Sequence, residues 1–418
     1  MFIIYNLIFL IFATIYFPIY LFKGKFHKGF SARLGKLPKN LNLDRPIWVH
    51  AVSVGEALAV HGLIEELRRL APGKKIVIST VTPTGNKIAQ GLAREGDLVT
   101  YLPLDFSWIV KGVIERIRPS VFVIVETEIW PNLIRVLHKK RIPIITVNGR
   151  ISDKSFVGYS RIRFLLKSAL KMINLFCVQS ALDADRLVLL GVADENIRVT
   201  GNMKFDNASF KSAEDTVKLR GRLGITSEQK LFVCGSTHPK EEEIILEAYK
   251  KILSVFPKLR LLIAPRHPHR AKEICQLVAK NNLSFALISK LPENQAPQAV
   301  FVLDTIGQLR SLYAAADIVF IGGSLIKKGG QNILEPAAFG KPVIFGPHMF
   351  NFRDIAGLYL SHRAAILVKD AQELAAQTEK LLKNPAKAAA IGEAGKALIL
   401  SQQGASAKNA QYIKEYFI

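Results

Sequence analysis

"IWVHAVSVGEALAVHGLIEELRRLAPGKKIVIST", residues 47–80, decides the fold of this chain. It opens with an apolar run, "IWVHAVS", continues through a helical pattern, "EALAVHGLIEELRRL", and closes with a second apolar run, "KIVIST". Strands that are apolar on both faces and separated by a helix are typical of a parallel α/β sheet. The stretch therefore predicts a strand–helix–strand unit.

The same alternation recurs along the chain on both sides of a polar stretch at residues 201–222. Before it come "VFVIVETE", "IPIITVNG" and "LFCVQS"; after it come "KLFVCGS", "LRLLIAP", "AVFVLDT", "DIVFIGGS", "KPVIFGP" and "AAILVKD". We therefore predict two Rossmann-like parallel α/β domains, residues 23–206 and 207–395, with a C-terminal helix over 396–418 that packs back on the first. In paired open sheets ligands bind at the carboxyl ends of the strands, so an interdomain cleft is the expected site.

The composition limits the classes of function. The chain has 418 residues, a formal net charge of +23 and 49% hydrophobic residues, which excludes a disordered protein and indicates an anionic partner. That partner could be nucleic acid, an acidic lipid surface or a phosphorylated substrate. The three cysteines are widely spaced, which predicts neither a disulfide framework nor a zinc site.

The N-terminus favours the lipid surface. Residues 2–22 carry no charge, and 21 residues at 1.5 Å each are enough to cross about 30 Å of hydrocarbon. Six basic residues follow within residues 23–39, which by the positive-inside rule predicts a single anchor over 1–22 in a bacterial inner membrane with the rest cytoplasmic. Pro18 leaves open a helix that lies in the interface instead. Either arrangement suits anionic lipid headgroups.

Carboxylates follow two of the predicted strands of the first domain. Glu56 follows "IWVHAVSVG" and is either a first-turn carboxylate favoured by the helix dipole or a general base. Glu126 and Glu128 end another strand in "VETEIWPN". Because strand residues alternate in direction, we expect only one of these two to face the site directly.

The second domain carries candidate phosphate contacts. Ser236 and Thr237 in "GSTHPKEEE" form a turn before a helix, which is either an anion site or an ordinary cap. Arg266 in "APRHPHR" could bind a phosphate with two hydrogen bonds. His267 and His269 stand at extended spacing without a carboxylate pair nearby, so a metal site is not expected.

"GGSLIKKGGQNILEPAAFGKPVIFGP", residues 322–347, is the most informative stretch of the second domain. A double glycine ends a strand, and a basic Gly-Gly loop leads to a helix that begins near Asn332 and carries Glu335 in its first turn. Glycines allow a phosphate to approach the backbone, and Glu335 could accept hydrogen bonds from ribose hydroxyls. A GxGxxG fingerprint near the first βα turn and a Walker A motif are both absent from the sequence, which argues against an NAD enzyme or a P-loop NTPase.

Taken together, these motifs resemble those of the GT-B glycosyltransferases. More narrowly, "HAVSVGE", "ETEIWPN", "GNMKFD", "GSTHPKEEE", "APRHP" and "GGQNILEPAAFGKPVIFGPHMFNF", in this order, resemble the 3-deoxy-D-manno-octulosonic acid (Kdo) transferases of lipopolysaccharide synthesis. The similarity runs from the N-terminal segment to the last helix. Several motifs in fixed order make it far more specific than any single one.

The resemblance implies transfer of Kdo from CMP-Kdo to a lipid A precursor (lipid IVA), with inversion and without a metal or other cofactor. It implies that Glu56 is the general base and that Glu126 is also functionally important. The implied CMP contacts are Pro265, Arg266, Ile306, Gly307, Gln308, Asn332, Ile333, Leu334 and Glu335. Gln308, Gln331 and Ile333 depart from the residues common in the family.

Two other functions are compatible with parts of the sequence. One is a membrane-associated GT-B transferase that uses a UDP-sugar and a lipid acceptor. The other is a membrane-tethered nucleic-acid-binding protein, as the net charge would allow. We expect no nucleic-acid partner, because no helix-turn-helix, RRM or KH signature appears and the basic residues are spread along the chain.

Overall fold

The computed structural model describes residues 5–6, 9–11, 14–15, 29–208, 216–291 and 298–417. Their contacts divide the chain into two units. Unit 1 is Met1–Asn207 with Gln402–Ile418, and unit 2 is Ala208–Ser401.

Within the described residues, unit 1 is built on one seven-stranded parallel sheet. Its strands are β1 Ile47–His50, β2 Ile76–Thr80, β3 Leu98–Tyr101, β4 Val121–Val125, β5 Ile144–Gly149, β6 Leu175–Val178 and β7 Ile197–Val199. The order across the sheet is β3-β2-β1-β4-β5-β6-β7. From β1 the chain adds strands β2 and β3 on one side of the sheet and then returns to add β4 to β7 on the other. The adjacent strands β1 and β4 therefore form a topological switch point, where ligands of open α/β sheets bind.

Helices connect the strands of unit 1 and cover its sheet. They span Phe30–Arg33, Val54–Ala59, His61–Leu70, Pro83–Leu92, Ser107–Ile117, Pro131–Lys139, Asp153–Arg161, Arg163–Leu170 and Ala181–Leu190. Several begin at a hydroxyl residue that accepts a backbone N–H, as Ser53, Thr82 and Ser180 do. These caps are the usual N-terminal signals of a helix.

The sheet of unit 1 is buried on both faces, as its apolar strands predicted. Trp48 and Phe122 pack with one cluster of buried side chains, with ring centroids 4.9 Å apart. Ile47 and Val49, which alternate with Trp48 along β1, belong to a second cluster on the opposite face. Two separate cores therefore hold β1 rigidly from both sides.

The C-terminal helix Ala405–Lys414 packs on unit 1. Ala410 and Ile413 are buried in the cluster that contains Val49. The Asp206 carboxylate accepts the backbone N–H groups of Gly404 and Ser406 at 2.6 and 2.5 Å, which caps the helix. This helix thus forms part of the core on the Val49 face of the unit 1 sheet.

Unit 2 repeats the architecture. Its described strands are β8 Lys230–Thr237, β9 Leu259–Pro265, β10 Phe285–Leu287, β11 Val300–Val302, β12 Ile318–Ile321, β13 Val343–Phe345 and β14 Ile366–Leu367. All pair in parallel, in the order β10-β11-β9-β8-β12-β13-β14. The central pair β8 and β12 lies at the corresponding switch point.

The helices of unit 2 include part of the polar stretch at residues 201–222, which we interpret from the sequence as a linker between the domains. They span Thr216–Arg222, Glu241–Leu253, Ala271–Lys280, Leu309–Ala315, Leu334–Ala338, Arg353–Ser361, Ala371–Lys383 and Pro385–Gln402, of which the last ends at the first residue of the C-terminal part of unit 1. Arg220 pairs with Asp317 at 3.0 Å, so residues 216–222 are a packed part of unit 2. Residues 209–215 of the predicted linker lie outside the described residues.

The predicted anchor over residues 1–22 lies mostly outside the described residues. In the part of the chain that the structure describes, no helix has both the length and the hydropathy needed to cross a bilayer. A few described residues of this segment contact unit 1: the Tyr5 hydroxyl donates to Asp105 at 2.8 Å, and Phe9 packs edge-on against Phe106. The anchor itself stays a prediction.

Candidate active site

Glu56 lies directly beyond the carboxyl end of β1, in the first turn of helix Val54–Ala59. Ser53 caps this helix by accepting the N–H of Glu56, and its hydroxyl also donates to Glu56 Oε1 at 2.8 Å. The backbone N–H of Val52 donates to Glu56 Oε2 at 2.7 Å. The carboxylate is therefore part of the helix cap and is fixed in one orientation at the switch point.

Burial dominates the electrostatics of Glu56, whose residue is only 8% exposed. The pKa of Glu56 is raised to about 7, chiefly by desolvation and next by the charge of Glu126, with a smaller contribution from Glu128; the bonds from Val52 and Ser53 oppose this rise. A carboxyl group with a pKa near neutrality can accept a proton at physiological pH. Its environment suits Glu56 to the role of a base.

Glu126 and Glu128 both lie near Glu56, which corrects the expectation that only one would face the site. β4 ends at Val125, so strand alternation no longer applies to these residues. Glu126 adopts a left-handed backbone with φ +60°, a strained conformation for a residue with a side chain. Burial, together with the Glu126 charge, raises the pKa of Glu128.

Lys204 is a member of this cluster that the sequence reasoning missed. Its Nζ lies 3.5 Å from Glu126 Oε1. It belongs to the 3-10 turn Met203–Phe205, which is tied to β5 because Met203 donates its N–H to the Asn148 side chain at 3.0 Å. Lys204 belongs to the motif "GNMKFD", which the sequence analysis noted without giving Lys204 a role. Its pairing with Glu126, more than seventy positions away, cannot be inferred from the spacing of the sequence.

A cavity of about 380 Å³ opens beside Glu128 in unit 1. The segment that follows β4 forms one wall, side chains of helices Asp153–Arg161 and Arg163–Leu170 and of the residue between them form another, and Tyr5 completes the lining. The lining residues are Tyr5, Thr127, Glu128, Ile129, Trp130, Pro131, Tyr159, Ile162, Leu165, Leu166 and Ala169. Its size is at the lower end of the range for small-molecule sites, and its walls suit an apolar group.

In unit 2, Arg266 and Glu335 lie near each other at the carboxyl ends of the strands. Arg266 follows β9, and its backbone N–H donates to the carbonyl of Thr237 at 2.9 Å. Burial raises the pKa of Glu335, against the lowering effects of the Asn332 amide and of the Arg310 and Arg266 charges. Pro265, Arg266 and Glu335 are thus brought to the same edge.

The predicted contacts Asn332, Ile333 and Leu334 differ in what they expose. Asn332 donates to Glu335 Oε1 at 3.2 Å and accepts the N–H of Leu334 at 3.1 Å. The side chains of Ile333 and Leu334 are buried in the core. Any contact of Ile333 or Leu334 with a nucleotide would therefore be made by backbone atoms. Such a backbone contact does not depend on the side chain at position 333, where the residue differs from the one common in the family.

Ile306, Gly307 and Gln308 form the turn between β11 and helix Leu309–Ala315. Ile306 is 88% exposed, and Gly307 has φ +91°, a conformation that favours glycine. Arg310, in the helix that follows, acts on Glu335. The turn is thus linked to Glu335 through its neighbour Arg310.

Ser236 and Thr237 occupy the end of β8, where Ser236 has φ +58°. The Thr237 hydroxyl is fully buried and donates to Glu242 at 2.9 Å. Glu242 also pairs with Arg270 at 2.8 Å. Both residues stay predicted phosphate or sugar contacts, although the Thr237 hydroxyl is already engaged by a carboxylate.

The acidic run of "KEEE" contains a second feature that the sequence reasoning missed. Glu241 is fully buried, and its carboxylate accepts the backbone N–H groups of Gly323, Ser324 and Leu325 at 2.6, 3.0 and 3.0 Å. It joins the start of its helix to the loop that follows β12. An internal anion thus occupies the backbone donors that a double-glycine turn would otherwise offer to a ligand.

The described residues contain no group of three or more His, Cys, Asp and Glu side chains arranged to hold a metal ion. His267 and His269 stack on each other with ring centroids 5.6 Å apart. Cys177, Cys234 and Cys275 are buried free thiols.

Comparison with solved structures identifies the architecture. A glycosyltransferase from Rickettsia africae matches 89% of this chain and 99% of its own at a TM-score of 0.61 and 14% identity. A UDP-GlcNAc 2-epimerase from Neisseria meningitidis, solved with UDP-GlcNAc, matches 89% of this chain and 99% of its own at 0.59 and 13%. The chain therefore has the two-unit fold of the GT-B class, which confirms the predicted pair of parallel α/β sheets.

Comparison with sequence families is more specific. Residues 28–207 match the family model for 3-deoxy-D-manno-octulosonic-acid transferase, and residues 218–398 match glycosyl transferases group 1. A 3-deoxy-D-manno-octulosonic acid transferase of Haemophilus influenzae is 33% identical over 88% of this chain and 87% of that protein. One of Chlamydophila psittaci is 31% identical over 94% and 90%.

The chain belongs to the 3-deoxy-D-manno-octulosonic acid transferase family, so the resemblance seen in its motifs and the prediction of a glycosyltransferase are confirmed. A bifunctional glycosyltransferase/methyltransferase of Fusobacterium nucleatum is also 35% identical over 90% of this chain. The chain spans 58% of that relative's length.

Proposed function

We propose that this enzyme transfers Kdo from CMP-Kdo to a lipid A precursor in lipopolysaccharide synthesis, with inversion and without a metal ion. Family membership supports the reaction class. The observation that carries the mechanism is Glu56, a rigidly held, buried carboxyl group with a pKa of about 7 at the switch point of unit 1.

In the proposed reaction, Glu56 takes the proton of an acceptor hydroxyl on the lipid. The hydroxyl oxygen attacks the anomeric carbon of Kdo as the bond from that carbon to the phosphate oxygen breaks, and CMP leaves with the bonding electrons. The partly broken bonds give the sugar oxocarbenium character. A base with a pKa near the working pH contributes typically 10²–10⁴-fold to such a step.

The donor nucleotide is proposed to bind unit 2. Arg266 would meet the phosphate, where a guanidinium offers two parallel hydrogen bonds. Glu335, oriented by Asn332, would accept bonds from the ribose hydroxyls. Glu56 belongs to unit 1 and Arg266 to unit 2.

The acceptor is proposed to bind unit 1. The cavity beside Glu128 has aromatic and aliphatic walls that suit the acyl part of a lipid. Lys204 pairs with Glu126 next to the base and would limit the repulsion among the three carboxylates. Anionic inner-membrane lipids would interact with the basic chain, whose net charge is +23.

The base is tested by Glu56→Gln, which keeps the size of the side chain and removes its proton affinity. Kdo transfer from CMP-Kdo to lipid IVA should fall about 10²–10⁴-fold. Glu115→Gln is a matched control, because Glu115 is an exposed carboxylate of unit 1 that pairs with Lys140. Near-normal turnover by a folded Glu56→Gln protein would remove Glu56 as the base.

The UDP-sugar alternative is tested by donor competition in the same assay. CMP should inhibit transfer, and UDP at the same concentration should not. Inhibition by UDP alone would contradict the proposed donor while leaving the family assignment in place.

A further inference from the structure

His238 lies in a cationic cluster of unit 2 that also contains Arg266 and Lys328, and neither His238 nor Lys328 is among the proposed nucleotide contacts. It follows β8 directly, while Lys328 belongs to the loop after β12. The two side chains flank Gly323: a Cβ added there would lie 3.2 Å from His238 Cδ2 and 3.4 Å from Lys328 Cβ. Gly323 also has φ +69°, so its backbone and its lack of a side chain both allow this approach.

The imidazole of His238 has unused hydrogen-bonding capacity. Its Nε2 is buried and has no hydrogen-bond partner among the described residues. A buried polar atom without a partner is costly in a folded protein, so Nε2 is available to bind a polar group of a ligand. The ring of His267 lies edge-on to that of His238, with centroids 6.4 Å apart.

Several of the cations around His238 form no salt bridge within the part of the protein that the structure describes. Burial lowers the pKa of His238, and the charges of Lys328, His267, Arg266 and Arg270 lower it further. Arg270 is compensated, because it pairs with Glu242 and Glu273. Among the described residues, Lys328, Arg266 and His267 form no salt bridge. The buried Glu241 carboxylate accepts the backbone N–H of His238 at 3.3 Å and those of the loop after β12, so it places a negative charge beside the cluster without pairing with a side chain of it.

The charge of Arg266 acts on both His238 and the proposed ribose contact Glu335. The ring of His267, the residue after Arg266, lies 6.4 Å from the ring of His238. Glu335 responds electrostatically to Arg266 and Arg310, whereas His238 responds to Arg266 and Lys328. Arg266 is the cation common to both. Arg266 therefore adjoins both the proposed ribose contact and the cations around His238.

We propose that His238 and Lys328 bind the carboxylate of the donor sugar, and that this pocket makes the enzyme specific for a nucleotide sugar with an acid group at its anomeric carbon. The inference rests on the proposed CMP-Kdo donor. In that donor the carboxylate is attached to the carbon that carries the phosphate oxygen, so its site must adjoin the phosphate site. His238 Nε2 would donate one hydrogen bond and Lys328 would supply a full positive charge.

The test separates the carboxylate from the phosphate by comparing CMP-Kdo with CMP, which has only the phosphate. KM for CMP-Kdo and the inhibition constant of CMP are measured for His238→Ala, His238→Gln and Lys328→Met, each checked for folding by thermal melting. His362→Gln is the matched control: His362 is exposed and follows helix Arg353–Ser361, which runs away from the carboxyl edge of the sheet. Arg266→Ala is measured alongside these variants, because it removes the proposed contact with the phosphate that CMP and CMP-Kdo share.

We expect His238→Ala and Lys328→Met each to raise KM for CMP-Kdo about tenfold or more, as the loss of a charge-assisted hydrogen bond implies. The inhibition constant of CMP should change less than about twofold. His238→Gln should recover part of the loss, because its amide can still donate. Arg266→Ala should weaken both ligands.

Parallel weakening of CMP and CMP-Kdo by His238→Ala or Lys328→Met would overturn the proposal, because the cluster would then hold the phosphate. Unchanged KM values in both variants would also overturn it. If the unmodified enzyme neither transferred Kdo from CMP-Kdo nor bound CMP, the proposed function itself would fail.

Discussion

At the scale of single residues, helix capping and base catalysis coincide at Glu56. A carboxylate in the first turn of a helix is normally stabilised in its charged form by the helix dipole and the cap. Here the Ser53 and Val52 bonds act in that direction, but burial and two neighbouring carboxylates act more strongly in the other. Residues that fix the orientation of Glu56 and residues that raise its pKa are therefore different, and they can be changed separately.

Two substitutions should move the pH dependence of transfer in opposite directions. Because Glu56 must be deprotonated to act as a base, kcat/KM should fall about tenfold per pH unit below its pKa of about 7. Ser53→Ala removes a bond that lowers this pKa and should shift the acid limb to higher pH. Glu126→Gln removes a charge that raises it and should shift the acid limb to lower pH.

The quantity to measure is the midpoint of the acid limb, because either substitution can also reduce the maximal rate. Glu115→Gln, on an exposed helix of unit 1, should leave the midpoint unchanged. Shifts of the same sign in Ser53→Ala and Glu126→Gln would contradict the assignment of the limb to Glu56.

At the scale of elements, Glu241 holds two strand ends of unit 2 together. It begins the helix after β8 and binds three consecutive N–H groups after β12. His238 and Lys328 follow these same two strands. The geometry of the proposed carboxylate pocket thus depends on a buried residue that need not touch a ligand.

Glu241→Gln should lower the free energy of unfolding by about 1–3 kcal/mol, because an amide cannot accept all three buried N–H groups. Glu243→Gln is its control, since Glu243 is exposed in the same helical turn and its change should stay within about 0.5 kcal/mol. Urea unfolding of both variants measures the difference. Equal stabilities would show that Glu241 does not hold the loop.

Sequence periodicity identified every strand of the sheet interiors and missed three strands at the edges. The missed strands are β3, β7 and β10, each at one end of a sheet order. They are only three or four residues long and partly exposed, as Arg198 and Val199 are in β7. An edge strand is covered less by neighbours, so its sequence lacks the continuous apolar run that marks a buried parallel strand.

The candidate site was predictable where a residue follows a strand and was missed where it acts through a distant contact. Glu56 of unit 1 and Arg266 of unit 2 each lie beyond the carboxyl end of a strand of their own sheet, as the sequence pattern predicted. Their roles stay predictions. Lys204 and Glu241 were not assigned roles, since their partners are far away in sequence. The error about Glu126 and Glu128 arose because the strand ended before them.

At the scale of the whole molecule, the positive net charge of the chain suits the anionic partners of the proposed reaction. A net charge of +23 favours an anionic donor, an anionic lipid acceptor and an anionic membrane surface alike. The cytoplasmic position and the N-terminal anchor stay predictions from residues 1–39. The fold and the family membership favour one reaction that involves all three anionic partners, the proposed transfer of Kdo from CMP-Kdo to a membrane lipid.

The most direct measurement is the mass of the lipid product after incubation of the purified enzyme with CMP-Kdo and lipid IVA. Our account predicts a lipid heavier by one or more Kdo units, with CMP released, and little or no such product from Glu56→Gln. An unchanged lipid mass with CMP-Kdo, together with a glycosylated lipid when a UDP-sugar is supplied, would contradict it.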